Sequence, residues 1–502
     1  MRLSSSAATA ESMQIPMLHL EQLFPVHLYI FPYDSLLNLT VAVSSQRMGA
    51  MAVRRSAAAL LRLTPELRST ICRSHPGIDG IESKRACEVS SALIRTARYG
   101  QKRAFAVTTR KKQATPIDNS TDNLPLSGTL VVSLEQAIAG PFCTRQLADL
   151  GARVIKIERP GKGDFNRDHD QRVKGQCSHF VWTNRSKESL ALDLKQPKDL
   201  EALKKIVAKA DVLVQNLAPG STERMGLGYG TLKEKHPGLI VCDISGYGST
   251  GPYKNKKAYD LLIQAEAGFL SVTGSPGQPA KSGISIADIA AGTTAYNNIL
   301  AALLQRHKTG KGCRLDVSML ESMAEWMSFP MYYAYEGAPP PALAGAEHAA
   351  IYPYGPFETG GGGTVMLGMQ NEREWGIFAR DVLRKSELLE DERFTSTAKR
   401  CVHRKELKTI IEEVFNEQSA DEVLEKLQSA GIANSKLNDM AGLWAHPQLK
   451  ARGRWAEVNT PNGMIPALKP AGAAEGMGVR MDAIPAVGQH DDAIFEEFGI
   501  ER

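Results

Sequence analysis

The sequence predicts a doubly wound α/β domain built on a parallel sheet, followed by a smaller α+β domain. Three observations carry this. Short apolar strands alternate with helical patterns from about residue 127 to about residue 320, the signature of βαβ units. The texture changes at Pro330, and Ala338-Pro-Pro-Pro-Ala-Leu-Ala-Gly345 reads as a linker. A hairpin pattern and amphipathic helices follow it. The chain has 502 residues, room for two to four domains at about 150 residues each.

Leu130–Leu134 is a strand of buried type, Gly140–Leu150 a helix stopped by Gly151, and Arg153–Glu158 a second strand. Asp199–Ala210 places Leu200, Leu203, Ile206 and Val207 at helical spacing, with Glu201 and Lys205 as a supporting pair. Val212–Val214 and Leu239–Cys242 are short apolar strands. Ile286, Tyr296, Ile299, Leu300, Leu303 and Leu304 define a long helix that Lys308, Gly310 and Gly312 bring to an end. Beyond the linker, Tyr354–Glu358 and Thr364–Leu367 form a hairpin around Gly360–Gly363. Leu407, Ile410, Ile411, Val414 and Phe415 line one helix, and Ser419 with Glu422 forms the capping box of the next. The pattern from about residue 432 is mixed.

The net charge of +5 is unevenly spread. Residues 1–47 carry −1, residues 48–115 carry +10, and the remainder carries −4. The basic excess therefore sits in a leader, which argues against nucleic acid as a partner. Residues 51–112 are rich in Arg, Ser and Ala and poor in acids, as a mitochondrial transit peptide is. A basic tail with no address is the alternative. Residues 1–47 do not fit such a peptide, and initiation at Met48 or Met51 would account for them. Seven cysteines without a CxxC pair disfavour a disulfide framework or a zinc ribbon and favour a reducing compartment. No apolar run is long enough to span a membrane.

Walker A, GxSxG and HExxH patterns are absent, no GxGxxG opens a helix after a strand (Gly246-Tyr-Gly-Ser-Thr-Gly251 runs into Pro252), and the histidines form no ligand pair at helical spacing. Gly360–Gly363 precedes a strand rather than a helix, so it reads as a hairpin tip and not as a phosphate loop. Asp288, in Ile286-Ala-Asp288-Ile-Ala-Ala-Gly292, falls at a helix N-terminus. An N-cap there needs no function. The functional reading is a carboxylate that stays ionised and can attack an acyl group, with backbone N–H groups nearby for an oxyanion.

Several segments in order resemble the family III CoA-transferases, the group containing formyl-CoA transferase and carnitine CoA-transferase. They include Ala139-Gly-Pro-Phe142, Gly151-Ala-Arg-Val-Ile-Lys-Ile-Glu-Arg-Pro-Gly161, Leu192-Asp-Leu-Lys195, Asp211-Val-Leu-Val-Gln-Asn216, Glu223-Arg-Met-Gly226, Gly246-Tyr-Gly-Ser-Thr-Gly-Pro252, Tyr259-Asp-Leu-Leu-Ile-Gln-Ala265, and His307 to Met319. The resemblance covers about residues 127–500 and is greatest to the succinyl-CoA–glutarate branch, which is mitochondrial.

The resemblance implies that Asp288 is the nucleophile. It would attack a CoA thioester to give a mixed anhydride, which CoA thiolate converts to an aspartyl-CoA thioester. The acceptor carboxylate then attacks that thioester, and CoA recaptures the acyl group. Substrates would be acyl-CoA and a small carboxylic acid, with neither ATP nor metal required. CoA binding would fall on Arg159, Leu194, Lys195, Asn216, Arg224, Lys257 and Tyr259; from the residues alone, each cation reads first as surface charge. Gln136 and Ile138 lie where the family places active-site backbone or a glutamine, and Ile138 departs from that pattern. The family's flexible loop over the aspartate corresponds to Gly345–Gly355, with His348 a candidate for the acceptor carboxylate.

The resemblance further implies an interlocked homodimer and a C-terminal segment returning to the large domain. The expected division is a leader at 1–125, a large CoA-binding domain at 126–325, a linker at 326–345, a small domain at 346–431 and the C-terminal return at 432–502. Two other readings remain. An α-methylacyl-CoA racemase needs two bases, and Tyr259, where that enzyme has His, is a poor one at neutral pH. A non-catalytic CoA-binding protein would have no use for Asp288.

Overall fold

A computed structural model describes residues 124–472 and 476–501. The leader, the transit peptide expected in it and the alternative start sites lie outside the described residues. Six strands form one parallel sheet: β1 (Leu130–Leu134), β2 (Arg153–Glu158), β3 (Lys187–Ala191), β4 (Val212–Gln215), β5 (Ile240–Ser245) and β6 (Arg314–Ser318). Their order is β3-β2-β1-β4-β5-β6. The winding reverses between β1 and β4, and in sheets of this kind ligands bind outside the carboxyl ends of the strands at that switch point.

Inner strands are mainly apolar on both faces because helices cover both, the buried Lys156 of β2 being an exception. On one face, Val131, Val154, Val212, Val214, Ile240 and Cys242 pack against α1 (Ala139–Asp149) and the long helix Ile286–Thr309. On the other, Val132, Ile155, Leu213 and Val241 pack against Leu203, Ile206 and Val207 of the helix Pro197–Val207. Ile494 and Phe498 complete that second core. They come from the C-terminal helix Asp491–Glu497 and its end, which return to the edge strand: Ala191 N–H donates to Asp491 Oδ1 at 2.8 Å and Ser189 N–H to His490 Nδ1 at 3.1 Å.

Edge strands β3 and β6 were not expected from apolar pattern. Their sequences, KESLA and RLDVS, are polar, as sheet edges are. One expected ion pair is corrected: Glu201 pairs with Lys204, at 2.8 Å, and not with Lys205.

The smaller α+β domain holds a three-stranded antiparallel sheet of β7 (Tyr354–Thr359), β8 (Gly363–Gly368) and β9 (Ala433–Lys436), in the order β9-β8-β7. Leu407, Ile411, Phe415, Val423 and Leu427 pack helices onto it, and the Ser419–Glu422 capping box is formed. Gly360 to Gly362 make the hairpin turn. A Cβ on Gly360 would stand 2.6 Å from the Asn416 carbonyl oxygen, so the glycines serve a tight turn against a helix end. Among the described residues no helix is long and apolar enough to cross a membrane.

Candidate active site

The long helix, α7 (Ile286–Thr309), begins with Ser285 at its N-cap, which makes no side-chain cap bond. Asp288 lies one turn in and is half-buried, so the N-cap role expected for it does not hold. The cap comes from another element. Asp260 opens the helix α6 (Asp260–Glu266), and its Oδ1 accepts the N–H groups of Ala287 at 2.8 Å and Asp288 at 3.3 Å. The other oxygen accepts from Gln264 Nε2 at 2.6 Å, and Gln264 Oε1 accepts from Ser282 N–H at 2.9 Å. Asp260 is thereby fixed on both sides.

This geometry corrects a second expectation. A helix N-terminus alone would keep Asp288 ionised. Burial, reinforced by the negative Asp260, instead pushes its carboxyl up to about 7. A hydrogen bond from the Ala139 N–H acts the other way and is outweighed.

Ala139 opens α1, so the start of α1 faces Asp288. Two features permit this approach. Gly292 follows Asp288 by one turn, and a Cβ there would stand 2.7 Å from the Ala139 carbonyl oxygen and 3.0 Å from the Phe142 ring. The preceding loop is held rigidly. Asn216, one residue past β4, accepts from Gln136 N–H and donates to Gln136 C=O, both at 2.9 Å. Ala137 has φ +60°, strained for a residue with a Cβ. Its N–H donates to Asp164 Oδ1 and its C=O accepts from Asn166 Nδ2, both at 3.2 Å.

Beneath the loop is a fully buried charge cluster. Lys156 Nζ lies 2.9 Å from Asp164 and 3.3 Å from Glu135, and Lys187 Nζ lies 2.7 Å from Glu135. Burial pushes the Lys187 ammonium down to about 8. Burial opposes ionisation of Glu135 as well, but the two ammonium groups hold its carboxyl below the ordinary value. Loss of one member of such a cluster strands the others without compensation.

The residues expected at CoA all lie on segments that follow strands of the parallel sheet. Arg159 and Asn216 each follow a strand end directly, after β2 and β4. Leu194 and Lys195 follow β3, and Lys257 and Tyr259 lie between β5 and α6. Arg224 belongs to the short helix Ser221–Arg224 after β4 and donates to Ser221 Oγ at 3.0 Å. Arg159, Lys195, Arg224 and Lys257 are exposed, and among the described residues none of them is in an ion pair. Neighbouring Lys256, by contrast, is paired with Glu266. Leu194 is half-buried against the second core, and Tyr259 is 70% exposed. Both ends of the Asn216 amide are engaged with Gln136, so its side chain supports the loop. Ile138 is buried and brings no polar group.

His348 belongs to a loop tied to both parts of the protein. Gly345 N–H donates to the Gly274 carbonyl at 2.7 Å, on the segment leading to α7. The His348 ring stacks on Tyr354, with centroids 5.3 Å apart, and its Nδ1 accepts from Ala350 N–H at 3.1 Å. In the neutral ring Nε2 then carries the proton.

Sequence reasoning missed Asp260, Asp164 and Asn166. Asp260 was visible only as the residue beside Tyr259, at the start of an apolar helical run. Asp164 and Asn166 lie in a loop after β2 with no periodic signal.

A doubly wound α/β body that sets a half-buried carboxylate near its switch point, with unpaired cations on segments that follow strands of the same sheet, has the build of an enzyme for an extended anionic acyl carrier. The chain belongs to CoA-transferase family III, whose model matches residues 126–491, and it is accordingly a CoA-transferase. It is 34% identical over 379 residues to a succinyl-CoA:glutarate CoA-transferase of Homo sapiens, covering 74% of this chain and 86% of that one. It is 32% identical over 392 residues to a succinate–glutarate CoA-transferase of Agrobacterium fabrum, covering 75% and 97%. Among solved structures, a CAIB/BAIF family protein from Brucella suis aligns with TM-score 0.67 at 32% identity, over 75% of this chain and all of the other.

Proposed function

We propose that the chain transfers CoA from succinyl-CoA to a dicarboxylate such as glutarate, with Asp288 as the nucleophile. The single observation that carries this reading is the setting of Asp288. Its side chain accepts the Ala139 N–H at the start of α1, its backbone N–H is held by Asp260, and the exposed cations Arg159, Lys195, Arg224 and Lys257 lie on segments that follow strands of the same sheet. A carboxylate of raised pKa is more basic, hence a better nucleophile once ionised. Its attack on the thioester carbonyl expels CoA thiolate and leaves an acyl-aspartyl anhydride. The thiolate attacks the aspartyl carbonyl of that anhydride and releases succinate. The acceptor carboxylate displaces CoA from the aspartyl thioester, and CoA attacks the acceptor acyl carbon, regenerating Asp288. Each step preserves an activated acyl bond.

Arg159, Lys195, Arg224 and Lys257 would hold the CoA phosphates, with Leu194 and Tyr259 against the nucleotide and pantetheine. His348 would offer Nε2–H to the acceptor carboxylate. The human relative, named for succinyl-CoA and glutarate, and the Agrobacterium relative, named for succinate and glutarate, support the donor and the acceptor class. The protein would work as an interlocked homodimer in mitochondria. In support of the dimer, Trp326, Phe329, Met331, Tyr332, Tyr333 and Tyr335 form a run of exposed large side chains. The Arg-rich leader supports the location, and N-terminal sequencing of the mature chain tests it: a chain still beginning at Met1 would refute processing.

The test of function is incubation with succinyl-CoA and glutarate. Glutaryl-CoA and succinate are expected, and hydroxylamine should trap an acyl group on Asp288. An Asp288→Ala chain with normal activity would sink the mechanism. Racemisation of a 2-methylacyl-CoA without an acceptor acid would sink the transfer reading itself.

A further inference from the structure

The segment between β2 and β3 carries three metal-binding side chains that the transfer reaction does not use. Asp170, Cys177 and His179 offer a carboxylate oxygen, a thiol sulfur and an imidazole nitrogen, all within 4.8 Å of one another. We propose that they form a binding site for a zinc-class divalent transition metal.

The donor set is one thiolate, one imidazole and one carboxylate, the borderline-soft mixture that suits zinc and not magnesium or calcium. Bond lengths of about 2.0–2.3 Å place tetrahedral ligands about 3.3–3.8 Å apart. Cys177 Sγ and Asp170 Oδ2 are already 3.5 Å apart. The remaining adjustment is within the reach of the His179 side chain. Charge also balances. The Cys177 thiol proton, now directed at Asp170, leaves for solvent when the metal binds. Thiolate, carboxylate and neutral imidazole then neutralise the dication.

The backbone prepares this juxtaposition. Val173 and Gln176 pair as an antiparallel bridge, with both N–H···O distances at 3.0 Å. Between them Lys174 and Gly175 have φ +52° and +78°, the signs a tight type I′ turn requires. That turn folds Asp170 back on Cys177 seven residues later. Ser178 holds the Asp170 carboxylate through its N–H at 2.9 Å and its hydroxyl at 2.7 Å, the kind of outer support that orients metal ligands. Cys177 is fully buried, while Asp170 and His179 are half-buried and give an entry side.

The site is structural. Its turn is tied to the hairpin of Trp455–Val458 and Ile465–Leu468: Asn462 Nδ2 donates to Lys174 C=O, and Lys174 Nζ to Met464 C=O, both at 2.7 Å. A metal bound beside the turn would lock the C-terminal segment onto the large domain.

The test is titration of the chelator-treated full chain with Co2+, which reports thiolate ligation through a sulfur-to-cobalt charge-transfer band. One Co2+ per chain is expected with that band, displaced by Zn2+, and Zn2+ should raise the melting temperature. Cys177→Ser should remove the band. His179→Ala changes a half-exposed side chain, so it keeps the test valid if the buried variant folds poorly. It should weaken binding by about tenfold or more and abolish the zinc-induced rise in melting temperature. Absence of the band in the parent chain, its survival in Cys177→Ser, or parent-like binding by His179→Ala would each overturn the proposal. Transfer activity is not the readout, so this site and the function proposed above fail separately.

Discussion

Asp260 Oδ1 accepts the backbone N–H of Asp288 at 3.3 Å, and the same carboxylate raises the pKa of the Asp288 side chain. Asp260→Asn separates the two effects, because an amide oxygen still caps the helix but carries no charge. In the parent chain kcat/KM for acyl-CoA should fall as pH drops below about 7, since protonated Asp288 cannot attack. In Asp260→Asn that acid limb should move to lower pH. Asp260→Ala should move it as well and also cost about 1 kcal/mol of stability through the lost cap. A limb that stays in place in both variants would show that Asp260 does not act on Asp288.

The same raised pKa has a thermodynamic sign. Asp288 moves from its ordinary 3.8 to about 7 on folding, so between these values the folded chain holds more of the proton than the unfolded chain does. Stability is therefore lost as pH rises through that window and stays lost above it. Asp288→Asn removes the titration. The variant should be inactive, yet gain melting temperature over the parent at pH 8 and gain little at pH 4. The difference should be on the order of 1–3 kcal/mol, after a discount for solvent at a half-buried group. Equal melting-temperature shifts at both pH values would remove the electrostatic account.

Most of this architecture could be read in the sequence wherever side chains meet a uniform environment. Leu130–Leu134 and Arg153–Glu158 are strands with the expected bounds because inner parallel strands are mainly apolar on both faces. Lys187–Ala191 and Arg314–Ser318 were missed as strands because edge strands alternate with charge. Asp288 was legible as a residue, but its setting was not. The cap from Asp260 reaches across 28 positions in sequence, and the hold of Asp164 on Ala137 across 27. Neither leaves a periodic trace. The burial that lifts the Asp288 carboxyl is a property of packed neighbours, so a helix-end argument gave the opposite direction.

Gly292→Ala tests the approach of α7 to α1. Its Cβ would stand 2.7 Å from the Ala139 carbonyl oxygen, and backbone on both sides leaves little room to yield. The helices must separate, at about 1–3 kcal/mol. The Ala139 N–H would then withdraw from Asp288. The expected result is a fall in kcat of about 10- to 100-fold, with KM for acyl-CoA nearly unchanged because the outer cations are untouched. A parent-like kcat in a folded variant would show that this contact does not set the reaction geometry.

Arg159→Ala and Arg224→Ala test the outer part of the site. Both side chains are exposed and, among the described residues, in no ion pair, so neither holds the fold together and melting temperatures should not move. A charge-assisted hydrogen bond to phosphate is worth about 1.5–3 kcal/mol, which converts to about a 10- to 100-fold rise in KM for acyl-CoA. Groups that hold only the phosphates act on binding and not on the acyl end, so kcat should stay within about twofold when acyl-CoA saturates. Added salt should raise KM in the parent and less in each variant, because fewer protein cations are left to screen. Arg393→Ala is the control: this exposed cation is paired with Asp391 beyond the parallel sheet, and its KM should match the parent. If the Arg159 and Arg224 variants behave like that control, these unpaired cations are ordinary surface charge, and CoA is held elsewhere.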